Sequence, residues 1–272
     1  MSSPRLLSRS LLAAAAVFAV CLAELPRVTG AAFEFDDLSI FHPMFGAGTT
    51  ISSPADLAGR NCLRWQLGHQ VPFGLRELSG HQLSAAISRQ RWGVGTGVSL
   101  RGTGRHQEAS TWLGAGLSPM PALALGTGIH VLQLRQGHSP SVRAITLSAG
   151  MRLKIGPTVR LSAWLRGPAG DLAQPRMLLS LSRILGDQSA LQGYLTRRGG
   201  RQGGANRLHL GVATPINPRL WLLLGARSAP IQFAAGSRIE AGAHFLAYRV
   251  DTHAVLGASH AALVGRSCGP SL

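Results

Sequence analysis

From residue 62 onward, apolar and polar side chains alternate with a period of two, in run after run. Val159, Leu161, Ala163 and Leu165 alternate with Arg160, Ser162, Trp164 and Arg166. Leu147, Ala149, Met151 and Leu153 alternate with Thr146, Ser148, Gly150 and Arg152. Leu208, Leu210 and Val212 alternate with Arg207, His209 and Gly211. Ile239, Ala241, Ala243, Phe245 and Ala247 alternate with Glu240, Gly242, His244 and Tyr248. A strand turns successive side chains to opposite faces, so this period predicts strands with one apolar face and one bearing Arg, Ser, Thr, Gly and His.

Turn signals cut these runs into short units. Pro- and Gly-rich turns fall at 118–121, 155–157, 186–187 and 214–218. Longer polar connections fall between them, at 72–80, 103–107, 135–140, 167–174 and 198–205. Short and long connections alternate, which is the rhythm of antiparallel hairpins in an outer-membrane barrel. The pattern predicts fourteen strands, the first at 62–71 and the last at 257–265. The fold class expected is all-β: a closed antiparallel membrane β-barrel, whose closure removes the edge strands that an open sheet would leave. The rival expectation is a soluble exported β-domain, which would also alternate.

Residues 1–30 read as a secretory signal peptide. Arg5 and Arg9 precede the apolar run Leu11 to Leu22, and small residues lead to Ala31. No later stretch approaches the roughly 18 apolar residues of a membrane-crossing helix. The expected organisation is a signal peptide at 1–30, an N-terminal hatch-like segment at 31–60, the barrel at 61–266 and a tail at 267–272. The expected location is the outer membrane, with membrane lipid as the first partner.

Composition narrows the function. The formal net charge is +16, nearly all from arginine, since Lys154 is the only lysine. The arginines are spread singly along an exported chain, so no nucleic-acid partner is expected. Arg143, Arg152, Arg160, Arg166, Arg207 and Arg238 fall on the polar faces of strands. In a barrel that face is the lumen, and a basic lumen favours anions. Gly93-Val94-Gly95-Thr96-Gly97 lacks the helix and lysine of a phosphate loop, and reads as a strand that bends or is closely approached. Aromatic residues are only 6% of the chain, thin for two interfacial girdles; Trp65, Trp92, Trp112, Trp164, Trp221, Phe233 and Phe245 are the candidates.

No enzyme, cofactor or metal is expected. His253, His260 and nearby His244 read as hairpin-packing residues, because a metal centre needs further ligands in fixed geometry. Ser259-His260 has only Asp251 as a nearby acid, too little for a catalytic triad. Cys62 opens the first strand and Cys268 follows the last. In an even-stranded closed barrel those ends meet at one rim, so a Cys62–Cys268 disulfide is one expectation. The other is a free Cys268 in a Gly/Pro/Ser tail and a small buried Cys62.

Several short motifs resemble one family. Ser53-Pro54-Ala55-Asp56-Leu57-Ala58 resembles the "NPAGLA" segment of FadL/PorV-like outer-membrane barrels, with Ser for Asn and Asp for Gly. Ala229 to Gly236, with Pro230, resembles a "P-x-x-f-s-a-G" strand of the same group. His253, Gly257 and His260 match its closing "H-x-x-L-G-x-T-H" hairpin. The resemblance implies a fourteen-stranded barrel with an N-terminal hatch. It also implies one of two functions: a channel of the long-chain fatty-acid type, or a non-enzymatic partner of secretion-system proteins. With the basic lumen, the channel expected is one for hydrophobic or anionic small solutes.

Overall fold

The computed structural model describes residues 53–59, 61–137, 139–169, 175–185, 189–198, 205–228, 231–253 and 255–268. The expected signal peptide, most of the expected hatch-like segment, Pro230 and the glycine cluster 199–204 lie outside the described residues.

Fourteen strands form one closed antiparallel barrel. The first five are β1 (Cys62–Val71), β2 (Gly80–Ser88), β3 (Trp92–Arg101), β4 (His106–Met120) and β5 (Leu123–Gln136). Next come β6 (Val142–Ile155), β7 (Val159–Arg166), β8 (Arg176–Leu185), β9 (Ser189–Arg198) and β10 (Ala205–Asn217). β11 (Leu220–Arg227), β12 (Gln232–Ala241), β13 (His244–His253) and β14 (Gly257–Arg266) complete the wall. Each strand pairs with its sequence neighbours, and β1 pairs with β14 from Trp65–Arg266 to Val71–His260. Short turns lie at one end of the wall; the other end carries the longer connections together with the three-residue one between β13 and β14.

The alternation sorts side chains as a membrane barrel requires. Outward rows are apolar and exposed: Val264, Leu67, Leu83 and Val98 face one another across β14, β1, β2 and β3. Leu113, Ile129 and Leu147 continue the belt across β4, β5 and β6. Inward rows are mostly polar or small, for example Gln66, Ser84, Gly97, His130 and Thr146, with Trp112 seated between Gly97 and His130. A soluble barrel would reverse this, with its bulky apolar side chains inside.

Three expectations need correction. The turns expected at 118–121 and 214–218 are two-residue turns at 121–122 and 218–219, because β4 and β10 run on past Pro119 and Pro215. Both prolines sit where the register shifts, the place in a ladder that tolerates a missing N–H. The face of β13 is inverted. The two-residue turn Gly242-Ala243 pairs Ala241 with His244 and Glu240 with Phe245, so Phe245 and Ala247 point inward. Four girdle candidates are therefore lumenal, Trp112, Trp164, Trp221 and Phe245, while Trp65, Trp92 and Phe233 lie on the outer face.

At the short-turn end, the Cα atoms of Cys62 and Cys268 are 5.6 Å apart and the two sulfurs are in bonding contact. That separation lies within the range a disulfide spans. We expect no free thiol when the chain from residue 31 onward, unreduced and denatured, is treated with a thiol label, and two after reduction. A bond across the seam would add about 2–4 kcal/mol, read as a lower unfolding midpoint after reduction. Two free thiols before reduction would exclude it.

Candidate functional site: the lumen

The lumen is organised by a 3-10 turn, Pro54–Leu57, packed against the inner wall toward the short-turn end. The wall makes room for it with glycine. A Cβ on Gly126 would stand 2.3 Å from the Pro54 carbonyl carbon and 2.4 Å from Ala55 N. A Cβ on Gly116 would stand 2.5 Å from Pro54 O. Neighbouring Gly93 and Gly95 meet Leu57 in the same way, and Gly97 leaves space for the Trp112 ring. The glycine run of β3 is thus a close-approach surface. Leu57 is fully buried against Ala86 and Trp112.

Charge fastens this turn. Arg152 Nη1 donates to Asp56 Oδ1 at 2.8 Å, and its Nη2 donates to the Ala58 carbonyl at 2.9 Å. Arg64 Nη2 donates to the Asp56 carbonyl at 2.8 Å and to Ser88 Oγ at 2.9 Å. The guanidinium planes reach several acceptors from one side chain, which suits arginine and not lysine. Ser53, Pro54 and Ala55 all pack in this buried turn. The sequence reading missed Arg64 and the acceptor role of Asp56; the signal available was an acid in a motif that elsewhere carries glycine.

Beyond this plug the inner wall is basic and, on one side, aromatic. Trp164, Leu178 and Tyr194 form one buried cluster across β7, β8 and β9. His209 on β10 stacks on Tyr194, with ring centroids 4.2 Å apart and planes 12° apart. Arg166 and Arg176 face each other directly above this shelf, toward the long-loop end. Arg176 lies over the Trp164 ring at 5.9 Å from its centroid. Arg207, opposite Thr196, shares the inward side with His209.

Four of the expected lumenal arginines besides Arg207 also point inward: Arg152, Arg160, Arg166 and Arg238. Arg238 bonds Glu240 at 2.7 Å and lies over Phe245 at 4.2 Å from the ring centroid. Arg143 does not belong with them. It pairs with Gln133 on the same outward side as Ile145 and Leu147, and it is exposed. It is the second residue of β6, at the long-loop rim where the apolar belt has ended, so the polar–apolar pattern no longer reports the face there. Arg249 pairs with Asp251, and Arg101 lies 3.9 Å from Glu108, all on the inward side.

The closing hairpin serves packing. His253 Nδ1 accepts from the N–H groups of Val255 and Leu256, both at 3.2 Å. Ser259 Oγ accepts from the Phe73 N–H at 2.9 Å, while His260 lies on the opposite, outer face and bonds the Tyr248 hydroxyl at 2.7 Å. Alternation therefore separates Ser259 from His260, and His253 from His260. Gly257 takes a φ of 86°, which glycine adopts without penalty at the start of β14.

The lumen and its wall define a closed barrel of the outer-membrane type, with the Pro54–Leu57 turn packed against its inner side. No family model and no curated protein sequence matches the chain. Solved structures do match in fold. The CymD monoaromatic hydrocarbon channel superposes with a TM-score of 0.64 at 11% identity, over 82% of this chain and 93% of that one. The toluene transporter TodX of P. putida gives a TM-score of 0.60 at 11% identity, over 81% and 92%. At that identity the likeness is one of fold.

Proposed function

We propose that this chain is an outer-membrane channel for small solutes that combine an apolar body with negative charge. The observation that carries the reading is the inner-wall shelf. Trp164, Leu178, Tyr194 and His209 form a buried, largely aromatic patch of the inner wall, and Arg166, Arg176 and Arg207 border it. An aromatic carboxylate passing this wall would meet aromatic side chains beside its ring and guanidinium groups beside its charge. The fold likeness to two hydrocarbon channels supports a passage role for the barrel.

The test is reversal potential in a planar bilayer under a salt gradient, with the purified chain. Anion preference is expected, together with block by benzoate. Arg166→Gln combined with Arg176→Gln should lower the anion preference roughly tenfold, because two positive charges leave the low-dielectric inner wall. Cation preference in the parent protein would refute the reading. A folded barrel with no conductance would refute it too, and would favour a non-enzymatic membrane component of a secretion apparatus.

A further inference from the structure

Two histidines outside the lumen take no part in the passage. His69 lies two residues before the end of β1, and His81 is the second residue of β2. They are directly opposed in the β1–β2 register. Both are exposed on the outer face, on the side that carries Leu67 and Leu83. Their Nδ1 atoms are 3.3 Å apart, with ring centroids 4.6 Å apart and planes inclined by 35°.

We propose that His69 and His81 form a two-imidazole chelating site for a divalent transition-metal ion of the Zn(II) or Cu(II) class. The distance carries the argument. A metal held at about 2.0–2.1 Å from each nitrogen, with an N–metal–N angle of about 90–110°, spans about 2.8–3.4 Å between the nitrogens. The observed separation is such a bite. A single shared proton also bridges two imidazoles at this distance, and an arriving metal ion would replace it without moving either ring far. The site is held by its backbone: directly opposed residues of an antiparallel pair are fixed neighbours, so little ordering is needed on binding.

Its place in the wall fits an ion. The leucine pair Leu67 and Leu83 lies two residues closer to the barrel's middle, and the long connection between β1 and β2 begins just beyond His69. The remaining coordination positions therefore open where the apolar belt ends, accessible to water or to an anionic headgroup. Arg64 on β1 and Arg101 on β3 face the lumen, on the other side of the wall. Nearby His260 bonds Tyr248 and provides the control.

The experiment is a Cu(II) titration of the tag-free, full chain folded in detergent micelles, followed by electron paramagnetic resonance. One ion per chain with a two-nitrogen signature is expected. His69→Gln or His81→Gln should each weaken binding at least about tenfold, and His260→Gln should leave it unchanged. Heat-modifiable gel migration verifies that each variant is still a barrel. As a measurement on the parent protein alone, Zn(II) should protect His69 and His81 from acylation by diethyl pyrocarbonate, mapped by peptide mass. Absence of saturable Cu(II) binding, or unchanged affinity in both variants, overturns the proposal. So does unprotected modification of His69 and His81 in saturating Zn(II).

Discussion

Gly126→Val should expel the lumenal turn and leave the barrel standing. The three atoms nearest the position a Gly126 Cβ would take all belong to the turn: the Pro54 carbonyl carbon at 2.3 Å, Ala55 N at 2.4 Å and Pro54 O at 2.6 Å. These are backbone atoms of a rigid segment, so no side-chain rotation relieves the clash. Valine is at the same time a favourable strand residue, and β5 pairs on both sides through this point, with Gly116 and Gly150. The wall therefore tolerates the change while the plug does not. Displacing the turn exposes Leu57, whose burial is worth about 1.5–3 kcal/mol, and breaks the Arg152–Asp56 ion pair. The expected result is a barrel with parent-like heat-modifiable migration and a conductance several-fold above the parent's. Parent-like conductance in a folded Gly126→Val barrel would show that the turn does not limit passage. Asp56→Asn, which removes the charge and keeps the shape, should shift conductance in the same direction by a smaller factor.

The wall was legible in the sequence because its constraint is repeated in every strand. Lipid outside and polar side chains inside impose a period of two, and the fourteen expected strands are the fourteen observed, with most boundaries within a few residues. The reading failed where that constraint lapses. Arg143 lies past the apolar belt, where either face takes a charge. Phe245 lies past a two-residue turn, which inverts the phase that a continuous alternation would keep. The tryptophans misled for a related reason: a large aromatic is welcome at an interface, but also in a lumen that has glycines to seat it, as Gly97 seats Trp112. Of the site, the glycine run of β3 announced a close approach without naming what approaches. The answer lies some forty positions earlier, in Pro54–Leu57, and periodicity carries no information about a contact between a wall and a segment that follows no period. The aromatic shelf is assembled from β7 to β10, each strand contributing one residue, so it exists only once the register is known.

Leu113→Arg should prevent or severely weaken assembly, and its cost should depend on depth. Leu113 stands at the middle of β4, seven residues from either end, and is outward-facing and 59% exposed. Its direct neighbours on the same face are Thr96 on β3 and Ile129 on β5. In water such exposure would be a liability, and a charge there would be an improvement. In a bilayer the same position meets hydrocarbon, and an arginine near the midplane costs about 2–4 kcal/mol. Leu100 is also outward and 53% exposed, but it is the next-to-last residue of β3, at the long-loop rim. Leu100→Arg should cost only about 0–1 kcal/mol, because a side chain there reaches the headgroups. The measurement is equilibrium unfolding of both variants in lipid vesicles, alongside the parent. A large loss for Leu113→Arg with a small one for Leu100→Arg is the signature of a membrane-embedded wall. If Leu113→Arg folds as well as the parent, or gains solubility without lipid, the outer belt does not face hydrocarbon and the barrel is a soluble exported domain.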